Sequence, residues 1–209
     1  MGCDVHMFVE KINTETYNWE KVGNEFFYDY SLRKAEEYME HNLGLTTEES
    51  NRMLKKYFKG DQPSNKIEEF VFNKFLVDLF SDDSEEIDRH GNKLSDPRTD
   101  QPYNGCNYSL FGALAGVRNT SMDLIADMDR GLPDDVSEEI CNLSDQWDMD
   151  GHSHNYLYLD EILDSHYYKM TDNELDEIGV GTYFFRTVVD TLLELGDSKD
   201  IRIVFWFDN

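Results

Sequence analysis

Two polar clusters in this chain have the residue types and spacing to do chemistry. Asp4, His6 and Glu10 fall within the first eleven residues; Asp148, Asp150, His152 and His154 follow much later. Imidazole and carboxylate together suit zinc, manganese or iron, whereas oxygen-only sets suit magnesium or calcium. Asp4 and His6 are two residues apart, so on a strand their side chains point the same way, and so do His152 and His154 if their Gly-led segment is extended. A histidine loop closing over the Asp4/His6 face would assemble a divalent-metal site from Asp4, His6, Glu10, His152 and His154. Asp150, His152 and His154 would be the catalytic groups. A metal there would supply hydroxide near neutral pH and polarise a phosphoryl or carbonyl oxygen. The plain structural alternative is a hydrogen-bonded cluster that fixes a loop on a sheet.

Other candidates give weaker signals. Gln146 to Gly151 partly fits a calcium loop, but Leu157 stands where a bidentate Glu is expected. Cys3 shares its strand face with Val5 and Met7, which favours a buried thiol over a nucleophile. Ser153 lies between two histidines but lacks the Gly-x-Ser-x-Gly setting of a hydrolase elbow. Arg118 and Arg130 stand out in an acidic chain and are candidates to grip a phosphate or carboxylate of a substrate; the alternative is pairing with a neighbouring acid. Trp206 is a candidate wall for stacking on a base.

The elements that must position these groups are legible in outline. Residues 1–11 read as a strand with Cys3, Val5, Met7 and Val9 on a core face and Asp4, His6, Phe8 and Glu10 on the other. A polar turn at Asn13–Thr16 and a second strand over Tyr17–Val22 complete a hairpin. From Ser31 to Phe80 the period is helical: a helix capped by Ser31 and stopped by Gly44, a second opened by the Thr46/Glu49 capping box, and a third striped by Ile67, Val71, Phe75 and Leu79. Residues 81–104 are acidic and broken by Pro97 and Pro102, which predicts a loop. Helices are expected over Tyr108–Val117, Val136–Leu143 and Tyr183–Leu195, with a further capping box at Thr171/Glu174 and a short amphipathic element at Leu157–Leu163. The chain closes with Ile201–Asn209 as a strand. The two terminal strands should pair. The expected architecture is a single α+β domain, 1–209, with a small antiparallel sheet containing the N- and C-terminal strands, covered by helices and carrying a helical insertion at 31–80.

The totals narrow the function. The 209 residues include 13 Phe, 12 Tyr and 3 Trp, enough aromatic surface for a packed core. The net charge of −25 repels nucleic-acid backbones and anionic membranes, and a phosphate-bearing substrate would need a metal ion or a basic pocket to offset it. No run approaches a membrane span or a signal peptide, and the three cysteines have no regular spacing, so a reduced cytoplasmic setting is expected.

Several segments together resemble a family of uncharacterised bacteriophage and bacterial proteins that open with Met-Gly-Cys-Asp-Ile/Val-His. They are residues 1–6, the run Tyr108–Arg118, Arg130–Pro133, Asp150–His154 and the terminal Val204–Asn209; residues 31–104 are not covered. The resemblance implies a phage-like setting, in which small proteins act on host pathways including immunity, and brings no mechanism. The expectation is a metal-dependent hydrolase of a phosphoester or nucleotide, with zinc, manganese or iron as cofactor. The alternatives are an acidic, non-catalytic inhibitor of a host defence protein that imitates nucleic acid, or a nucleotide-sequestering protein.

Overall fold

The computed structural model describes residues 3–77, 100–127 and 130–208. The expected Leu79 and Phe80 of the third helix, and most of the acidic 81–104 loop, lie outside them. The architecture is α+β. Four antiparallel strands, β1 (Val5–Ile12), β2 (Trp19–Lys21), β3 (His152–Tyr158) and β4 (Ile201–Phe207), lie in the order β2-β1-β4-β3. The chain's two ends therefore pair at the centre of the sheet, from Val5 opposite Phe207 to Lys11 opposite Ile201.

Alternation along the central strands sends residues to two different cores. Val5, Met7, Val9, Ile203, Phe205 and Phe207 face the main core, with Cys3 and with α4 (Tyr108–Ala115) among its neighbours. Phe8, Val204 and Trp206 face the other way and are covered by Ile140 of α5 (Glu138–Asp145). All seven residues of β4 are buried, so the strand is covered on both faces.

Between the hairpin and α4, three helices pack on a cluster of their own that includes Tyr30, Met39, Met53, Leu54 and Val71. They are α1 (Asn24–Leu43), α2 (Thr47–Phe58) and α3 (Lys66–Phe70), which continues as π-helix over Val71–Leu76. The Thr46/Glu49 capping box is present, and Gly44 ends α1 in the left-handed conformation. Two expectations fail here. The first helix starts at Asn24, behind a Gly23 that offers no side-chain cap, and Ser31 is a buried residue inside it. The expected stripe on α3 is also rotated. Glu68 is drawn inward by Lys56 at 2.6 Å and by the Ser64 amide at 2.7 Å, which leaves Ile67 61% exposed.

Later elements are short. α6 (Leu159–Asp164), α7 (His166–Lys169) and α8 (Asp172–Glu177) lead to a π-helical turn, Phe184–Val188, that runs into α9 (Val189–Leu193). The segment read as a histidine loop is instead the edge strand β3. No helix among the described residues is long and apolar enough to cross a membrane.

One buried charge locks the sheet. Arg202, in the middle of the fold, donates from Nε to Glu10 Oε2 at 2.7 Å and from a terminal nitrogen to Asp135 Oδ1 at 2.7 Å. Its guanidinium lies 3.9 Å from the centre of the Trp19 ring. Burial pushes the Asp135 carboxyl up, but Arg202 and the Trp19 indole N–H outweigh it and hold the group below its ordinary range. Arg202 and Glu10 are both fully buried, so removing Glu10 leaves a buried cation with Asp135 alone, and removing Arg202 leaves a buried carboxylate with only the Ser137 N–H. Glu10→Ala should cost about 3–5 kcal/mol in urea unfolding. Arg33→Ala, which breaks the exposed Arg33–Glu194 pair, should cost about 1 kcal/mol or less. Equal losses would show that the buried pair is not the lock.

Candidate functional site

The chemistry-bearing residues gather where β1 and β3 begin and β4 ends. His6 sits opposite Trp206 in the β1–β4 ladder. Its ring lies 3.9 Å from that of Trp147 and 5.9 Å from that of Trp206, centre to centre. His6 Nε2 is 3.2 Å from Asp208 Oδ2. The other oxygen of Asp208 accepts the Asp4 N–H at 3.0 Å, and the Asp208 N–H returns to the Asp4 carbonyl at 3.2 Å. Asp4 thus contributes its backbone to this knot, and its side chain is exposed.

A bulge in β3 decides what its histidines do. His152 pairs with Phe207 and Asn155 with Phe205, leaving Ser153 and His154 as the irregular step. Ser153 takes a left-handed φ of 52°, a conformation that costs a non-glycine residue energy. The bulge undoes the simple alternation that would have aligned the two histidines. His152 stacks towards Phe207 and the main core, bonds Ser153 Oγ at 3.0 Å, and has a buried Nε2 with no partner among the described residues. His154 turns to the other face and stacks on Trp206, with ring centres 5.6 Å apart. Trp206 thus stands between His6 and His154. It is fully buried, and its indole nitrogen has no partner among the described residues.

Beside His154 opens a cleft of about 660 Å³ lined by Gly131, Leu132, Ser144, Asp145, Asp148 and His154. Ser144 Oγ and His154 Nε2 are 2.8 Å apart. Ser144 belongs to the last turn of α5 and is 7% exposed. Burial, and secondly the nearby His152, push the His154 pKa down from the ordinary 6.5, so the ring is neutral at pH 7. Gly151 closes the edge of the ring cluster. A Cβ there would come 3.0 Å from Trp147 Cβ and 3.5 Å from Trp206 Cδ1, so a side chain would fit only if Trp147 gave way by a few tenths of an ångström. Asp148, on the cleft wall, is also left-handed, with φ 43°.

Several expected site residues are placed elsewhere. Glu10 is spent: one carboxylate oxygen takes Arg202 and the other the Ser137 N–H at 2.7 Å. Asp150 is exposed on the turn before β3 and does not line the cleft. Arg130 grips Glu161 of α6 with two bonds, of 2.9 and 2.7 Å, and donates to the Tyr156 carbonyl of β3 at 3.3 Å. Arg118 is exposed beyond α4, where its charge acts on the Cys3 thiol on the main-core side. Leu157, at the last position of the calcium-loop comparison, is a core residue paired with Ile203. Among the described residues, no three His, Cys, Asp or Glu side chains converge as a metal-holding group.

Sequence reasoning overlooked Ser144, Asp145 and Trp147. A signal existed. Ile140, Ser144 and Trp147 recur at helical spacing, which sets a serine on the apolar face of α5. Comparison with known protein families, curated proteins and solved structures finds no match for the chain.

The unfolded chain takes up a proton on His154 near pH 6.5, before the folded chain does. Stability from the neutral ring is therefore complete above that pH and is lost as pH falls towards the lower folded pKa. Between about pH 7 and about pH 5, wild type should lose more unfolding free energy than His154→Gln in parallel urea titrations. Identical slopes would contradict the buried neutral imidazole.

Proposed function

We propose that this protein is a hydrolase of a small ester, with Ser144 as nucleophile and His154 as its base. The observation that carries this reading is the 2.8 Å contact between Ser144 Oγ and a neutral imidazole on the wall of a cleft large enough for a small molecule. With its proton on Nδ1, His154 takes the Ser144 proton at Nε2 as the oxygen attacks the carbonyl carbon or phosphorus. The same proton then goes to the leaving group, and water releases the acyl or phosphoryl group from Ser144 by the reverse sequence. Asp145 and Asp148 make the cleft acidic, so neutral or cationic esters enter directly. A phosphoester or nucleotide would enter with a divalent cation such as zinc, manganese or iron to offset the charge of Asp145 and Asp148. A second reading, an acidic inhibitor that occupies a host protein without turnover, draws on the net charge of −25.

The test is turnover of nitrophenyl carboxylic esters, nitrophenyl phosphate and bis-nitrophenyl phosphate, with and without each cation. Ser144→Ala and His154→Gln should each lower kcat/KM by about 10³-fold or more. Asp150→Asn should stay within a few-fold of wild type. Unchanged turnover in the Ser144 and His154 variants, or no turnover of any probe by wild type, would overturn the hydrolase reading; the latter result favours the inhibitor.

A further inference from the structure

At the same end of the sheet, on its main-core face, the thiol of one cysteine meets the backbone of another across 103 positions of sequence. Cys3 precedes β1 and is fully buried; Cys106 precedes α4 and is exposed. The Cys106 thiol donates to the Cys3 carbonyl at 3.3 Å, so its sulfur rests against the backbone of the other cysteine. The third cysteine, Cys141, lies in α5 on the opposite face of the sheet. Arg118 and Tyr108 complete the surroundings: Arg118 draws the Cys3 thiol down against its burial, and the Cys106 thiol pushes the Tyr108 phenol up.

We propose that Cys3 and Cys106 are a thiol pair that a hydroperoxide converts to a disulfide. Exposure assigns the order of events. Cys106, as thiolate, attacks the peroxide O–O bond; its sulfur becomes a sulfenic acid, and the displaced oxygen leaves as water or an alcohol. Cys3 sulfur then attacks Cys106 Sγ. The S–S bond forms, the S–O bond breaks, and the hydroxide departs as water with the Cys3 proton. Two thiols and one hydroperoxide thus give one disulfide, one water, and one alcohol or second water. Burial pushes the Cys3 thiol up and Arg118 draws it back down, which suits Cys3 to the second, intramolecular step. The bond would tie the residue next to Asp4, whose N–H holds Asp208, to the start of α4.

The full chain is treated with hydrogen peroxide and digested without reductant. The expected result is a Cys3–Cys106 cross-linked peptide, with the intact mass reduced by two hydrogens and restored by dithiothreitol. Cys141→Ser should give the same peptide. Cys106→Ser, a change at an exposed position, should keep the fold and leave Cys3 as a free thiol after treatment. A Cys106 oxidised to sulfinic acid beside an unmodified Cys3, or a bond from either cysteine to Cys141 or to a second chain, would overturn the pair.

Discussion

Burial of β4 on both faces is the constraint from which the rest follows. A strand with neighbours on both edges and cover on both sides has no water for any polar group it carries. Arg202 sits in that strand and is fully buried. Its charge is tolerable only with Glu10 delivered by β1 and Asp135 by the segment before α5. The register of the terminal strands and the position of the α5 layer are thus set by one cation. A slip of one residue would move Glu10 to the opposite face and leave Arg202 with Asp135 alone.

The same enclosure shapes the opposite end of β4. Trp206 is as buried as Arg202, and its flanks are filled by His6 from β1 and His154 from β3. Poor access to water makes His154 a weak base that is unprotonated at pH 7, the state a nucleophile's partner requires. Left-handed backbone at Ser153 and Asp148 occurs at this end. Such conformations persist only where the surroundings impose them. Here the bulge that contains Ser153 sends one histidine to each face and sets His154 against Ser144. The chain's acidity continues into the cleft through Asp145 and Asp148, so the field at the site selects against a bare anion.

The sheet was legible because alternation is a local signal: Cys3, Val5, Met7 and Val9 on one face, and Ile201, Ile203, Phe205 and Phe207 on one face of its partner. Capping boxes at Thr46 and Thr171 were legible for the same reason. β3 was not, because its bulge interrupts the alternation and its residues are largely polar. α1 was read as starting late because Gly23 gives no capping side chain. Glu10 illustrates a deeper limit. A carboxylate two positions past Phe8 reads equally as a ligand or half of an ion pair, and its partner Arg202 lies 192 residues away. The neighbourhood of the opening strand and the histidine segment could be anticipated from residue types. Which histidine faces the cleft depended on one residue's φ.

The central claim is that Trp206 is flanked by His6 and His154, with His152 turned away. Nuclear Overhauser contacts among the aromatic rings of protein labelled at histidine and tryptophan test it most directly. The account predicts contacts from the Trp206 indole to the rings of both His6 and His154, and from the His152 ring to Phe207. Contacts from Trp206 to His152 in place of His154, or to neither His6 nor His154, would contradict it.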